Sequence, residues 1–170
     1  MSLLKANKRV SVPELSFKRS PTRLRHNGIV APRIAQAVFD ATGGKATGAH
    51  GLGVYIPDNA IIIDAWIDVV TTFTTADDSG TIALSVQSAN DIVAAIAISN
   101  ASNVWDAGIR GTKIGTISLD GNALTQIAHG AAKAAAMIKL TAERELTATV
   151  ATQDLTAGKL VLYVKYVLGD

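Results

Sequence analysis

Hydrophobic and polar residues alternate from residue 61 to residue 74, and this alternation is the strongest structural signal in the chain. One row contains Ile61, Ile63, Ala65, Ile67, Val69, Thr71 and Phe73, and the other contains Asp64, Trp66, Asp68, Thr72 and Thr74 with Ile62 and Val70. A period of two residues and many β-branched side chains predict a β-strand. The strand is long, so we expect a bend or a bulge within it. We expect the first row to face the core, and Asp64, Trp66 and Asp68 to form an outer strip.

Other segments have patterns that are typical of strands, and one has the pattern of a helix. The predicted strands are 34–41, 54–56, 81–87, 114–119, 137–142, 145–152 and 159–168. The glycine-rich segment 42–53 and the segment 100–115 are predicted to be connections. Ile92, Val93 and Ile96 have helical spacing after Ser88 or Asn90, which predicts one short helix within 88–99. The alanine-rich segment 123–136 fits a helix or a long loop.

These elements predict an all-β fold. About eight strands separated by turn residues indicate an antiparallel β-sandwich, and a jelly roll is the sandwich that fits best. The inward rows are predicted to be Ile82, Leu84 and Val86; Leu146, Ala148 and Val150; and Leu160, Leu162, Val164, Tyr166 and Leu168. The last strand also has apolar residues in its other row, so we expect both of its faces to be covered.

The charged residues divide the chain into two parts. Residues 1–33 contain eight basic residues and one acidic residue, a net +7, whereas residues 34–170 contain eight and thirteen, a net −5; together they give the +2 of the chain. Three prolines in residues 1–33 disfavour a long helix and favour extended segments. We therefore expect an extended basic N-terminal arm (1–33) and a β-sandwich domain (34–170).

The arm is the first candidate functional feature. Apolar residues are interspersed with its basic ones, which favours contact with an acidic protein surface over simple neutralisation of phosphates. A solvated tail without a partner is the alternative interpretation. The predicted contact residues are Lys5, Lys8, Arg9, Phe17, Lys18, Arg19, Arg23, Arg25 and Arg33.

Two aromatic residues on outer strand rows are the second candidate. Trp66 and Tyr163 are the kind of residue that anchors a protein interface, and Val161 and Val167 lie in the same row as Tyr163. Coverage by loops of the same subunit is the alternative. Charged residues make up only 18% of the chain, below the usual quarter, which also indicates that other subunits cover part of the surface.

The sequence contains no pattern that predicts catalysis or cofactor binding. His26, His50 and His129 lack the spacing of metal ligands, and cysteine is absent. Asp77-Asp78 lacks the alternating ligands of a calcium loop. The glycine-rich segments match neither nucleotide-binding motif, and no nucleophile elbow is present. We therefore expect a protein that is not an enzyme and has no cofactor or metal. No apolar run could cross a membrane as a helix, and the basic N-terminus does not have the pattern of a secretory signal.

Four stretches of the domain resemble a known family. They are GLGVYIPDNAIIIDAWIDVVTTF from Gly51, SANDIVAAIAI from Ser88, LTATVA from Leu146 and LTAGKLVLYVKYV from Leu155. Their order along the chain and their pattern of residues resemble those of capsid decoration, or cement, proteins of tailed bacteriophages. The resemblance implies a jelly-roll subunit that forms a homotrimer on the outer surface of the virion head after assembly in the host cytoplasm. It also implies that the subunit stabilises the shell by bridging major capsid proteins.

The residues are also compatible with two other functions. The family has no uniform N-terminal arm that matches residues 1–33, so the role of the arm as an anchor on the capsid is inferred from its residues. The first alternative is a small icosahedral coat protein whose basic arm binds packaged nucleic acid, although nucleic acid is the less favoured partner. The second is a tail or host-recognition module, which would need a cluster of exposed aromatic residues.

Overall fold

We describe the fold from a computed structural model, which defines residues 31–101, 103–111 and 137–169. These residues form strands and loops, with no helix among them. The strands are β1 (Arg33–Asp40), β2 (Gly48–Ile56), β3 (Ala60–Thr75), β4 (Thr81–Ser85), β5 (Val93–Ala97), β6 (Gly108–Gly111), β7 (Ile138–Lys139), β8 (Arg144–Ala151) and β9 (Leu155–Leu168).

The strands form two antiparallel sheets. The five-stranded sheet has the order β1-β9-β3-β6, with the short β7 also pairing with β3, and the four-stranded sheet has the order β2-β8-β4-β5. The strands β1 to β4 belong alternately to the five-stranded and the four-stranded sheet. Later in the chain, β8 lies between β2 and β4, and β9 lies between β1 and β3. This arrangement is that of a jelly roll, so the predicted fold class is confirmed.

The core lies between the two sheets, and the predicted inward rows supply most of it. Leu146, Ala148 and Val150 of β8 are fully buried, as are Leu160, Leu162 and Val164 of β9. In the five-stranded sheet Leu162 lies opposite both Ala37 and Ile67, which are buried beside it. Alternation thus identified the buried face of these strands correctly, because side chains on a strand point to opposite faces in turn.

The beginning of β3 differs from the sequence prediction. Ile62 lies opposite Tyr166 and Asp64 lies opposite Lys165, so Ile63 is an extra residue in β3 and the register shifts there. The extra residue reverses which side chains face inward: Ile62 is buried, whereas Ile61 and Ile63 are half-buried. The predicted bulge is therefore confirmed, but the assignment of Ile61 and Ile63 to the core was wrong. The assignment of Thr71 to the same row was also wrong, because the register shifts again after Val69 and Thr71 is exposed opposite Lys159.

β2 begins within the segment that was predicted to be a glycine-rich loop. Gly48 and Gly53 have positive φ angles of 134° and 69°, and the pairing of β2 with β8 shifts between Gly51 and Tyr55. The Glu145 carboxylate accepts a hydrogen bond from the Gly53 N–H (2.8 Å). The glycines therefore permit a bulged strand here rather than ending it.

The predicted helix within 88–99 is wrong. The Asp91 carboxylate accepts hydrogen bonds from the backbone N–H groups of Val86, Gln87 and Ser88 at 2.8, 2.9 and 2.8 Å, which fixes a loop after β4. The residues that follow form β5, and its Ile96 pairs with Ile82 of β4. An aspartate side chain that bonds to nearby backbone groups competes with a helix, and here it replaces one.

We predict that Asp91→Ala lowers the free energy of unfolding by about 2 kcal/mol, because three N–H groups lose a charged acceptor in a partly buried loop. Denaturant unfolding of the purified chain would measure the change. Ser88→Ala is the control, since it changes an exposed side chain in the same loop and keeps all three bonds. Equal stability of Asp91→Ala and Ser88→Ala would show that the carboxylate does not hold the loop.

The segments after residue 100 agree only in part with the predicted strands and connections. The predicted connection 100–115 contains β6, and the strand predicted at 137–142 reduces to the two residues of β7. The strand predicted at 114–119, the Asp120-Gly121 turn and the segment 123–136 lie outside the described residues. Trp105, which precedes β6, is buried; its indole N–H donates to the Ile96 carbonyl (3.0 Å) and so ties this segment to the other sheet.

Candidate subunit-contact surface

One surface of the sandwich combines most of the residues that the sequence indicated for contact. We call it the outer face: the side chains of the five-stranded sheet that point away from the core. Its central row runs across four strands in the order Val38, Val161, Asp68 and Ile109. The register therefore brings together residues that are distant in the sequence, on a sheet whose inward side is fully packed.

An aromatic pair occupies the next row of the outer face. Trp66 on β3 and Tyr163 on β9 lie directly opposite each other, with ring centroids 5.3 Å apart and planes inclined by only 9°. Both are half-buried, so part of each ring remains accessible. Stacking orders both side chains before any partner arrives, which lowers the entropy that binding would cost.

Exposed aliphatic residues surround the aromatic pair. Ile34 is 59% exposed, Val38 45%, Val70 51% and Ile109 63%, and all four lie on strands of the five-stranded sheet. They are four of the six large hydrophobic residues that are exposed in the described part of the chain. Single exposed apolar residues are ordinary, but several on one sheet face mark an interaction surface.

The charges described on the outer face balance. They are three lysines and three aspartates on paired strands: Lys139, Lys159, Lys165, Asp40, Asp64 and Asp68. The Lys159 ammonium lies 2.8 Å from the Asp40 carboxylate, and this contact, with hydrogen bonds from Thr42, holds the pKa of Asp40 well below its ordinary value. Balanced charge does not provide the one-signed field that attracts nucleic acid, whereas it suits a protein surface of mixed charge.

The outward side of the four-stranded sheet has a different character. Ala49, Thr149 and Ala83 form one row, and Gly51, Thr147 and Ser85 form the next. These side chains are small, and no aromatic or long aliphatic residue accompanies them in the two rows. Tyr55, which is 57% exposed and lies opposite Glu145, occupies a further row on this side. Four of the six exposed large hydrophobic residues described lie instead on strands of the other sheet, which therefore carries most of the large anchors for a contact.

The structure places the predicted site residues as follows. Trp66, Tyr163, Val161 and Val167 all belong to the outer face, on the adjacent strands β3 and β9. Arg33 is exposed at the first position of β1. The other predicted arm residues lie outside the described residues. Ile34, Val38 and Ile109 were missed, because only the strand pairing shows that they join the same face; their apolar character was the available signal.

The described residues offer little for other chemistry. Among them, no group of three or more His, Asp or Glu side chains could hold a metal ion. His50 bonds through Nε2 to the Ala46 carbonyl (2.8 Å) and lies against Phe39. The Asp77 carboxylate accepts from the Ser79 N–H in a loop, and the hydrogen bonds to Ser79 lower its pKa. In the part of the chain described, no helix is long and apolar enough to span a membrane.

Comparison with known proteins shows similarity in fold only. The sequence matches no protein-family model and no curated protein. A chain of the acid-stable capsid structure of Helicobacter pylori bacteriophage KHP30 is similar with a TM-score of 0.53 and 14% identity, over 84% of this chain and 92% of that one. A chain of the capsid of Ralstonia phage GP4 has a TM-score of 0.54 and 17% identity, over 82% and 86%. A chain of the cyanophage Pam1 capsid asymmetric unit has a TM-score of 0.52 and 18% identity, over 99% of each chain. At these identities the likeness establishes that the chain has the fold of these three chains.

Proposed function

We propose that this protein is a structural component of a bacteriophage capsid. The observation that carries the proposal is the outer face, where the stacked Trp66–Tyr163 pair lies among exposed aliphatic residues on a jelly roll with a packed core. Such a surface fits large protein–protein contacts rather than a small-molecule site. The three similar structures, all from phage capsids, support the same role.

Within that role we propose a decoration protein on the outer surface of the virion. Three copies associate through the outer face, with Trp66, Tyr163, Val161 and Val167 at the contact, and the trimer bridges neighbouring major capsid proteins. The basic arm, residues 1–33, is the anchor on the shell. Its net +7 opposes the net −5 of the rest of the chain, so it suits an acidic surface of another protein.

We predict that removal of residues 1–33 leaves the domain folded and abolishes attachment to the shell. The arm precedes all but the first residue of β1, so the sandwich keeps its strands. Co-sedimentation of the full chain and of residues 34–170 with shells of the phage's major capsid protein measures attachment, and circular dichroism measures folding. Equal attachment of the two forms would remove the arm from the mechanism. Failure of the full chain to attach would contradict the decoration role.

The coat-protein alternative has its own test. A basic arm that binds packaged nucleic acid would give tight binding with a steep salt dependence, lost on removal of residues 1–33. Filter binding of nucleic acid to the chain with and without the arm measures this affinity directly. Tight, salt-dependent binding that is lost with the arm would favour the coat-protein role over the decoration role. The host-recognition alternative is less favoured, because Trp105 is buried and does not contribute to a surface aromatic cluster.

A further inference from the structure

The edges of the two sheets differ in how well they are protected against pairing with another strand. Among the described residues, β6 and β7 have four and two residues and β5 has five, and β2 is interrupted by a bulge. Short or bulged edges resist edge-to-edge pairing. β1 is different: its eight residues pair with β9 in one unbroken register, and among the described residues it pairs with no other strand. No proline, lysine or bulge interrupts it.

A hydrogen bond just after the C-terminal end of β1 shows which of its residues bond to β9 and which direct their backbone groups to the open edge. The Ala41 N–H donates to the Gly158 carbonyl (2.8 Å), which continues the register in which Arg33 lies opposite Tyr166. In an antiparallel pair alternate residues bond to the partner strand. The odd-numbered residues of β1 therefore bond to β9, and Ile34, Gln36 and Val38 direct their N–H and C=O groups towards the open edge. Their side chains also lie on the outer face.

We propose that β1 pairs antiparallel with β1 of a second copy of this chain, about a two-fold axis at Gln36. In this register Gln36 lies opposite Gln36 of the second copy, and Ile34 lies opposite Val38 twice. About six main-chain hydrogen bonds form, since each of the three residue pairs exchanges two. Ile34 and Val38, which are 59% and 45% exposed in the single chain, become cross-strand neighbours.

Other registers are worse for identifiable reasons. A shift by one residue would pair outer-face residues of one copy with core-face residues of the other, so that the outer faces of the two sheets would no longer be continuous. A shift that centres the axis on Ala37 would place Ile34 opposite Asp40, whose carboxylate is already paired with Lys159. A shift that centres it on Ala35 would bring Pro32, which has no N–H, opposite Val38. The register centred on Gln36 alone pairs the two exposed aliphatic residues with each other.

This contact is separate from the proposed trimer. It has two-fold symmetry and uses the edge of the sheet, whereas three copies would meet through the centre of the outer face. It does not depend on the proposed function, because it concerns two copies of this chain whatever they assemble on. The two contacts together would extend the assembly beyond a single trimer.

Cysteine cross-linking tests the register directly, because the chain contains no cysteine. Gln36→Cys places two thiols opposite each other at a separation that a disulfide can bridge. Val38→Cys places them four residues apart along the pair, which is too far. On oxidation of the full chain we expect a covalent dimer from Gln36→Cys, at about ten times or more the yield from Val38→Cys. No dimer from Gln36→Cys, or equal yields, would overturn the proposal.

Charge substitutions provide an independent measurement. Ile34→Glu with Val38→Glu places like charges opposite each other twice and should weaken two-fold association at least about tenfold. Ile34→Glu with Val38→Lys places opposite charges in the same positions, with the new carboxylate opposite Lys165 of β9 in both variants, and should restore it. Both double variants keep the bonds of β1 to β9, so circular dichroism should show the same fold. Equal association of the two variants in sedimentation would contradict the register.

Discussion

Gly158→Ala is expected to destabilise the protein by about 3 kcal/mol or more, which corresponds to a fall in melting temperature of about 6–12 °C for a chain of this size. Gly158 lies on β9 with a φ of 136°, and a Cβ built there would overlap the ring of Phe73. Phe73 cannot move aside, because it stacks on Phe39 (5.8 Å between centroids) and meets the edge of Trp105 (6.0 Å). The substitution therefore adds overpacking to backbone strain.

Gly48→Ala separates these two causes. Gly48 on β2 has nearly the same φ, 134°, but a Cβ built there would have no atom within 4 Å. The strain alone should cost about 1 kcal/mol. Thermal or denaturant unfolding of both variants gives the difference, and we expect Gly158→Ala to be the more damaging by about 2 kcal/mol. Equal losses would mean that the contact between Gly158 and Phe73 does not constrain the core.

Val161→Lys is expected to dissociate the proposed trimer, lowering the association constant at least about 100-fold, because a charge buried at a contact centre costs several kcal/mol. The variant should still fold, since Val161 lies opposite Asp68 on β3 and the new ammonium gains a carboxylate neighbour. Sedimentation equilibrium of the purified chain measures the loss of mass.

Thr149→Lys is the matched control for the contact surface. Thr149 lies at the middle of β8, half-buried, on the outward side of the four-stranded sheet between Ala49 and Ala83. The same new charge is therefore placed at a comparable central position on the opposite side of the sandwich. We expect this variant to keep the mass of the unmodified chain. If Thr149→Lys dissociated the trimer and Val161→Lys did not, the contact would lie on the four-stranded sheet, which would contradict the proposal.

The sequence predicted the buried side chains best where the alternation within a single strand is sufficient to identify them. Alternation identified the inward side chains of β8 and β9, and a long alternating stretch indicated both β3 and its bulge. The sequence could not locate the bulge, because Ile61, Ile62 and Ile63 are equally apolar. One extra residue at Ile63 exchanges the two faces, so the error at Ile61 and Ile63 follows from a single undetermined position.

Loop interactions limited the prediction elsewhere. Ile92, Val93 and Ile96 have helical spacing, but the three bonds of the Asp91 carboxylate hold the preceding residues in a loop. Glycines in β2 were interpreted as a loop because their ability to fit a bulge depends on the Glu145 side chain, 92 residues away. In both places a side-chain to backbone bond decided the local structure, and sequence patterns do not show such bonds.

The candidate surface was predicted in part. The outer rows of β3 and β9 can be derived from each strand, and this is how Trp66, Tyr163, Val161 and Val167 were selected. That Trp66 and Tyr163 stack on each other depends on the register between strands about a hundred residues apart. Ile34 and Ile109 extend the same face only because β1 and β6 lie at the sides of β9 and β3.

Our central proposal is that this jelly roll is an accessory structural protein on the outside of a phage capsid. A cryo-microscopy map of the particle in which the chain is assembled tests it most directly. We expect the two-sheet sandwich to lie outside the continuous shell, in groups of three whose contacts include Trp66 and Tyr163, with residues 1–33 extending over the shell. A map in which the sandwich itself forms the continuous shell, or in which it lies inside against the nucleic acid, would contradict the claim.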